Sequence, residues 1–231
     1  MPTLLQTVCE SILAPGGLSL DDLEPLVGEL SVGDVDNSAP FVAECLLSIV
    51  AQAVPVEVVV VDDGSTDDTV AVVRDLALKE VQIVQLETNL GACHARNVGW
   101  RAATSEFIKF LDADDVLGEG ALRKQWACHE SCGGEVITYG AEGRLDGEAD
   151  YPTTLLDAQM PPETAVRLLL RGRLQTSLPL HRKAHLAQVG GFDERLKGHQ
   201  EWNLHIRLAA EGFRFQSFDV EAVKRREHTS P

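Results

Sequence analysis

The segment Val56-Glu57-Val58-Val59-Val60-Val61 constrains the fold of this chain more than any other. A short β-branched run of this kind reads as a strand covered on both faces. The branched side chains suit extended backbone, and a two-sided burial needs no polar alternation. The run stops at Asp62-Asp63-Gly64-Ser65-Thr66, a cluster of turn residues. Residues 67–79 then read as a helix, with Ser65 or Thr66 as its cap and acids in its first turn. Val81 to Leu86 reads as the next strand, Asn89-Leu90-Gly91 as a turn and Ala92 to Ala103 as a helix. A third strand, Glu106 to Leu111, runs into Asp112-Ala113-Asp114-Asp115. Strands alternating with helices imply right-handed crossovers and a mainly parallel α/β sheet. Both acidic clusters then lie at strand C-termini, the edge at which open α/β sheets bind ligands. Carboxylates gathered there repel one another unless a cation joins them.

Composition narrows the function. The chain has 231 residues, enough for one domain or one domain with an appendage. Lys+Arg is 20 and Asp+Glu is 36, a net charge of −16. That balance argues against a nucleic-acid partner and disfavours docking on anionic lipid. No apolar run approaches the ~18 residues of a membrane span. The first ten residues lack the basic region of a secretory signal. The expectation is a cytoplasmic protein without an integral membrane segment, for which peripheral membrane association is left open. The five cysteines, Cys9, Cys45, Cys93, Cys128 and Cys132, are odd in number and irregular in spacing. They read as reduced and buried structural thiols.

The second half is less regular. Helices are expected over Gly120–Ser131, Pro162–Arg171, Arg182–Gln188 and Gln200–Glu211. Strands are expected over Glu135–Tyr139, Gln175–Leu180, Phe213–Phe218 and Val220–Arg225, and a loop over Glu142–Thr154. His181 and His185, four apart, read as surface histidines on a helix.

Four motifs stand in one order: VVVVDDGSTDD over Val58–Asp68, NLGACHARNVGWRA over Asn89–Ala102, FIKFLDADDV over Phe107–Val116, and GGFDERLKGHQEWNLHIRL over Gly190–Leu208. Together they resemble family 2 glycosyltransferases of the GT-A, or nucleotide-diphospho-sugar transferase, fold, over about residues 37–231. The resemblance implies a Rossmann-like, mainly parallel sheet flanked by helices. It implies a metal-dependent, inverting transfer of a sugar from a nucleotide-sugar to a glycan, lipid-linked or small-molecule acceptor, as in polysaccharide synthesis. On that resemblance Asp62 and Asp63 lie beside the base and ribose, and Arg96 and Asn97 belong to the helix near the nucleotide. Asp112 and Asp114 form the D-x-D pair that holds Mn²⁺ or Mg²⁺, with Asp112 also touching the donor, and His228 is the late histidine on the metal or diphosphate. Glu201, in Gln200-Glu201-Trp202, stands where the family keeps its general base, which takes the acceptor hydroxyl's proton. Gln200 replaces the family's usual acid. Other readings stay open from the residues alone: turn and cap roles for Asp62 to Asp67, a surface ion pair for Arg96, a first-turn helix acid for Glu201, and a solvated tail for His228. Asp115 reads as a turn residue.

The family's opening strand is not recognisable. Leu30-Ser31-Val32-Gly33-Asp34-Val35-Asp36 carries two acids and a glycine, poor material for a central strand. Residues 1–36 resemble instead the amino-terminal helical segment of the TldD/PmbA metalloprotease family, without its metal site. The expectation is a foreign helical segment, 1–36, fused to a transferase domain, 37–231, whose first strand is missing or replaced. A non-catalytic remnant serving as a weak interaction module is therefore the alternative function. A nucleotidyltransferase is a weaker one, because no Gly-rich basic loop follows the first strand.

Overall fold

The computed structural model describes residues 28–35, 38–79, 81–133, 135–145, 153–172 and 174–226. Eight strands form one sheet: β1 Gly28–Val35, β2 Val56–Asp62, β3 Val81–Gln85, β4 Phe107–Leu111, β5 Val116–Leu117, β6 Val136–Arg144, β7 Pro179–Arg182 and β8 Arg214–Arg225. Among the described residues seven helices accompany them: α1 Val42–Val50, α2 Thr69–Asp75, α3 Ala92–Ala102, α4 Ala121–Ser131, α5 Pro162–Leu169, α6 Lys183–Val189 and α7 Gln200–Ala210. The strand order is β3-β2-β1-β4-β7-β6-β8-β5. The β3-β2-β1-β4 half is parallel throughout. Beyond β4, β7 is antiparallel to both its neighbours, β6 and β8 run parallel, and β5 closes antiparallel on β8.

The β-branched run behaves as its composition predicts. Val58 to Asp62 are buried without interruption, and so is every residue of β4. One core holds Val42, Leu46 and Ile49 of α1, Val58 and Val60 of β2, and Ile108, Phe110 and Leu111 of β4. The opposite face of β2, Val59 and Val61, packs with Ala95 of α3. Two buried faces are the reason for the continuous apolar run.

The first strand is present, which corrects the expectation of its absence. β1 lies between β2 and β4. Its Leu30 pairs with Val58 on one side and Lys109 on the other, and Val32 pairs with Val60 and Leu111. The helical reading of residues 1–36 therefore fails over 28–35, and the sheet takes a strand from the segment assigned as foreign. Residues 1–27 lie outside the described residues. Intrinsic β-propensity spans only ~1 kcal/mol, so two flanking ladders outweigh Gly33 and Asp34. The register shift falls between Val32 and Val35, where those two residues sit. Replacing Ser31, which faces Val59 and Phe110 across the two ladders, by proline removes an inner-strand N–H. Ser31→Pro is expected to lower stability by on the order of 3 kcal/mol. A urea midpoint unchanged in that variant would show that 28–35 is not an inner strand.

Other boundaries move. The expected strands 213–218 and 220–225 are one long strand, β8, with register irregularities opposite Tyr139–Glu142. The strand expected over 175–180 forms later, as β7, and β6 extends through Arg144 into the stretch assigned to a loop. The two-residue strand β5 has no counterpart in the sequence reading. His181 is not a surface residue on a helix. It is fully buried in β7, while His185, on α6, is 6% exposed. Cys45 and Cys93 are buried as expected, whereas Cys128 and Cys132 are half-exposed, free thiols. Cys9 lies outside the described residues.

Candidate functional site

The parallel ladders bring the two acidic clusters to one edge of the sheet. Asp62 ends β2, and Asp112 to Asp115 follow β4 directly. Both Asp62 and Asp63 are buried. Asp62 Oδ1 accepts the Ser65 N–H at 3.1 Å, and its Oδ2 accepts from Gln85 Nε2 at 3.4 Å. Asp63 accepts the N–H groups of Leu90 and Gly91 at 2.8 and 2.6 Å, so this carboxylate holds the turn that leads into α3. Gly64 makes the approach possible. Its φ is +79°, and a Cβ there would stand 2.8 Å from Asn89 N. Helix α2 starts only at Thr69, whose N–H is accepted by Asp67 Oδ1 at 3.0 Å. Ser65 and Thr66 are therefore not its cap.

Arg96 joins the two sides of the crevice. From α3 its Nη2 donates to Asp112 Oδ1 at 2.7 Å and its Nη1 to Gln200 Oε1 at 2.8 Å. The D-x-D turn and the first turn of α7 thus meet on one guanidinium. Glu201 is next along α7 and half-buried. The helix is entered through His199, in the left-handed region at φ 55°, whose ring stacks on Trp202 with centroids 4.9 Å apart. A cavity of about 520 Å³ opens between the 89–93 turn and the 194–200 segment, with Gln200 and Glu194 on its wall.

Asn97, which the resemblance places on the helix near the nucleotide, makes its hydrogen bonds within the protein. Its Nδ2 donates to Phe192 O at 2.9 Å and Glu194 Oε1 at 2.7 Å, and its Oδ1 accepts from Phe192 N and Trp100 Nε1, each at 2.9 Å. With two donors and one acceptor oxygen fully engaged and the side chain buried, Asn97 holds the Gly191–Glu194 segment on α3. Gly191, at φ +73°, is the matching requirement, since a Cβ there would collide with Asn97 Oδ1 and the Trp100 ring. Glu194 also binds His94 Nδ1 at 2.9 Å. These hydrogen bonds, from His94 first and then Asn97, hold the Glu194 carboxyl below its usual range.

The far wall comes from the end of β8, which sequence reasoning missed. Arg226 N donates to Asp115 Oδ1 at 3.0 Å and Arg226 Nε to Asp114 O at 3.1 Å. Its guanidinium pairs with Glu44 of α1 and lies 4.7 Å from the Phe41 ring centroid. Nothing local in the sequence marks Arg226, because its partners come from segments far apart along the chain. Asp115 is a turn residue as expected, its N–H returning to Asp112 O at 3.0 Å. Its carboxyl is buried, and burial first, then the charge of Asp112, pushes its pKa up to about 8. Beneath the turn, Cys45 Sγ reaches Asp112 O at 3.6 Å, and burial raises its thiol pKa well above the usual value. Asp112 and Asp114 stand together on this turn. His228 lies outside the described residues. Among the described residues no three His, Cys, Asp or Glu side chains are grouped to hold a metal, and no helix is long and apolar enough to cross a membrane.

The chain is similar to proteins of known kind. Succinoglycan biosynthesis protein ExoU of Rhizobium meliloti is 32% identical over 192 residues, 78% of this chain and 56% of that protein. The poly(ribitol-phosphate) beta-N-acetylglucosaminyltransferase TarS of Staphylococcus aureus is 40% identical over 92 residues, 38% of this chain and 16% of that protein. This chain thus spans about half the length of ExoU and less of TarS. Crystal structures of S. aureus TarS superpose with a TM-score of 0.73 for the UDP complex, at 25% identity, covering 87% of this chain and 60% of that one. The UDP-GlcNAc complex gives 0.76, at 24% identity, covering 88% and 60%. These likenesses agree with the GT-A reading of the sheet, and none bears out the TldD/PmbA reading of residues 1–36. The model of the family described as Glycosyl transferase family 2 matches residues 35–181, so the chain belongs to glycosyl transferase family 2.

Proposed function

We propose that this chain is a metal-dependent, inverting glycosyltransferase that moves a sugar from a nucleoside-diphosphate donor to an acceptor hydroxyl on a glycan or related glycoconjugate. The observation that carries the reading is the Arg96 bridge, which gathers the acidic turn after β4 and the start of α7 at the edge where Asp62 and Asp63 also lie. The chemistry needs those parts in one place: a nucleotide pocket, hard oxygen ligands at a leaving diphosphate, and a base across from it. UDP and UDP-GlcNAc, the ligands of the TarS crystal structures, make a UDP-sugar the first donor class to test.

The residues fit a divalent ion. Asp112 and Asp114 offer hard carboxylate oxygens, and a cation of the protein, Arg96, already stands on Asp112. Mg²⁺ and Mn²⁺ are commonly held at such sites by one or two carboxylates, with substrate phosphates and water completing the shell. When bound, the ion would neutralise charge on the departing diphosphate. The chain's own residues do the rest in this reading. Asp63 fixes the 89–91 turn at the nucleotide, Arg96 supplies positive charge beside the phosphates, and Glu201 takes the acceptor proton. His228 is proposed at the same metal or diphosphate. The non-catalytic alternative was motivated by a missing first strand, and β1 fills that position.

Thermal unfolding with UDP, GDP and dTDP, with and without Mn²⁺, tests the reading. A UDP-induced rise in Tm that requires Mn²⁺ is expected, because a ligand bound only by the native state stabilises it by mass action. Asp114→Ala should lose the metal-dependent part of that rise. No shift with any nucleotide–metal pair would reject the donor site, and a full shift in Asp114→Ala would move the metal elsewhere.

A further inference from the structure

Asp112 already carries a counter-cation, and it comes from inside the protein. The Arg96 side chain is 8% exposed while that of Asp112 is 37% exposed, so the carboxylate faces the crevice with the guanidinium behind it. A divalent ion approaching Asp112 meets a carboxylate that already accepts from a guanidinium. The other arm of the guanidinium rests on Gln200, a neutral amide. An acid at position 200 would hold Arg96 by an ion pair as well as a hydrogen bond. A glutamine holds it more lightly.

We propose that Arg96 is an exchangeable counter-cation: it competes with the divalent ion for Asp112, then moves its charge to the donor diphosphate when metal and donor enter together. No covalent bond changes. The guanidinium exchanges one anionic partner for another, and the site's positive charge follows the phosphate. Gln200 is the positioning residue of this exchange, because it retains one arm of Arg96 while the other is released. Since Gln200 adjoins Glu201, the first turn of α7 shares a contact with whatever occupies Asp112. This inference rests on the metal reading of the D-x-D turn.

The test is the sign of two affinities measured by calorimetry on the full chain: Mn²⁺ alone, and UDP at saturating Mn²⁺. Arg96→Met is expected to tighten Mn²⁺ alone by about twofold to fivefold, the size expected for removing one competing ion pair of partial exposure. The same variant should weaken UDP by a comparable factor. Arg96→Lys, which keeps the charge, should stay within about twofold of the parent for Mn²⁺. A purely structural Arg96 would weaken both ligands together. Equal or weaker Mn²⁺ binding in Arg96→Met overturns the proposal. If that buried replacement fails to fold, Gln200→Ala decides. It removes the neutral anchor, and it should weaken Mn²⁺ alone severalfold by leaving the guanidinium on Asp112. An unchanged Mn²⁺ affinity in Gln200→Ala overturns the proposal as well. UDP binding by the parent protein that ignores Mn²⁺ would reject the metal reading and the exchange with it. Mn²⁺-dependent UDP binding with Arg96→Met unmoved rejects the exchange alone.

Discussion

Glu201→Gln is expected to lower kcat for sugar transfer by about 10²- to 10⁴-fold, the range for removing a general base. Donor and metal affinities should stay within about twofold. The substitution keeps the shape of the side chain and removes only its ability to accept a proton. Glu201 sits in the first turn of α7, one residue from the Gln200–Arg96 contact. Its position is therefore tied to the D-x-D turn without its carboxylate being consumed in that tie. A split between kcat and KM is the signature to look for, since a base acts in the transition state and not in ground-state binding. Glu201→Asp, which moves the carboxylate back by one methylene, should recover part of the loss. Initial rates of nucleotide release with an acceptor panel, alongside calorimetric UDP affinity, measure both. A Glu201→Gln variant with more than about a tenth of the parent rate would place the base elsewhere.

Acidification should unfold the protein steeply between about pH 6.5 and 4. His181 and His205 are fully buried, and their rings stack at 5.7 Å with an interplanar angle of 17°. Among the described residues, neither ring nitrogen of His181 has a hydrogen-bond partner. Burial, then the charges of His205, His185 and Lys109, hold the His181 pKa well below 6.5, and burial takes His205 down to about 3. His129 and His185 are lowered in the same direction, also by burial first. A lowered folded-state pKa means that the unfolded chain binds the proton more readily. The stability these groups contribute is present above the unfolded value near 6.5, and it is lost as pH falls toward the folded value. Each such imidazole costs about 1.4 kcal/mol per pH unit over that window. The two fully buried imidazoles together reach the low end of a domain's ~5–15 kcal/mol by about pH 4.5. Asp115 works the other way. Its raised pKa favours the fold as protons are added, so it flattens part of the slope. Urea midpoints from pH 7 to 4.5, for the parent and His205→Gln, test this. The variant should show a shallower decline, and a flat parent profile between pH 7 and 5 would refute the mechanism.

The legible parts of the molecule were those with a local cause. β2 and β4 announce themselves because two-sided burial requires unbroken apolar runs, and the acids that end them follow from chain order. β1 is not legible, because a segment carrying Gly33 and Asp34 is held in the sheet by the pairing of residues 28–32 with two strands further along the chain. His181 was misread for a related reason. Its strand is short, and the ring that stacks on it belongs to α7. Within the site, the acidic clusters and the segment carrying Glu201 could be read as motifs. The contacts that unite them could not, since Arg96–Gln200, Arg226–Glu44 and Asn97–Glu194 each join residues with no shared periodicity. Asn97 stands in its expected place on α3, and its hydrogen bonds to the next loop are not legible from the motif.

The first and last described strands are both interior to the sheet, with β1 between β2 and β4 and β8 between β6 and β5. A chain emerging from the ribosome cannot complete the β1 ladders until β4 has been made, nor seal β6 until β8 arrives. Until then each of those two strand edges is unpaired. Loop-closure entropy must be met before either pairing is rewarded, which favours slow folding and edge-to-edge association of nascent chains. Pairing strands so far apart in the chain makes the order of folding a property of the topology rather than of the site.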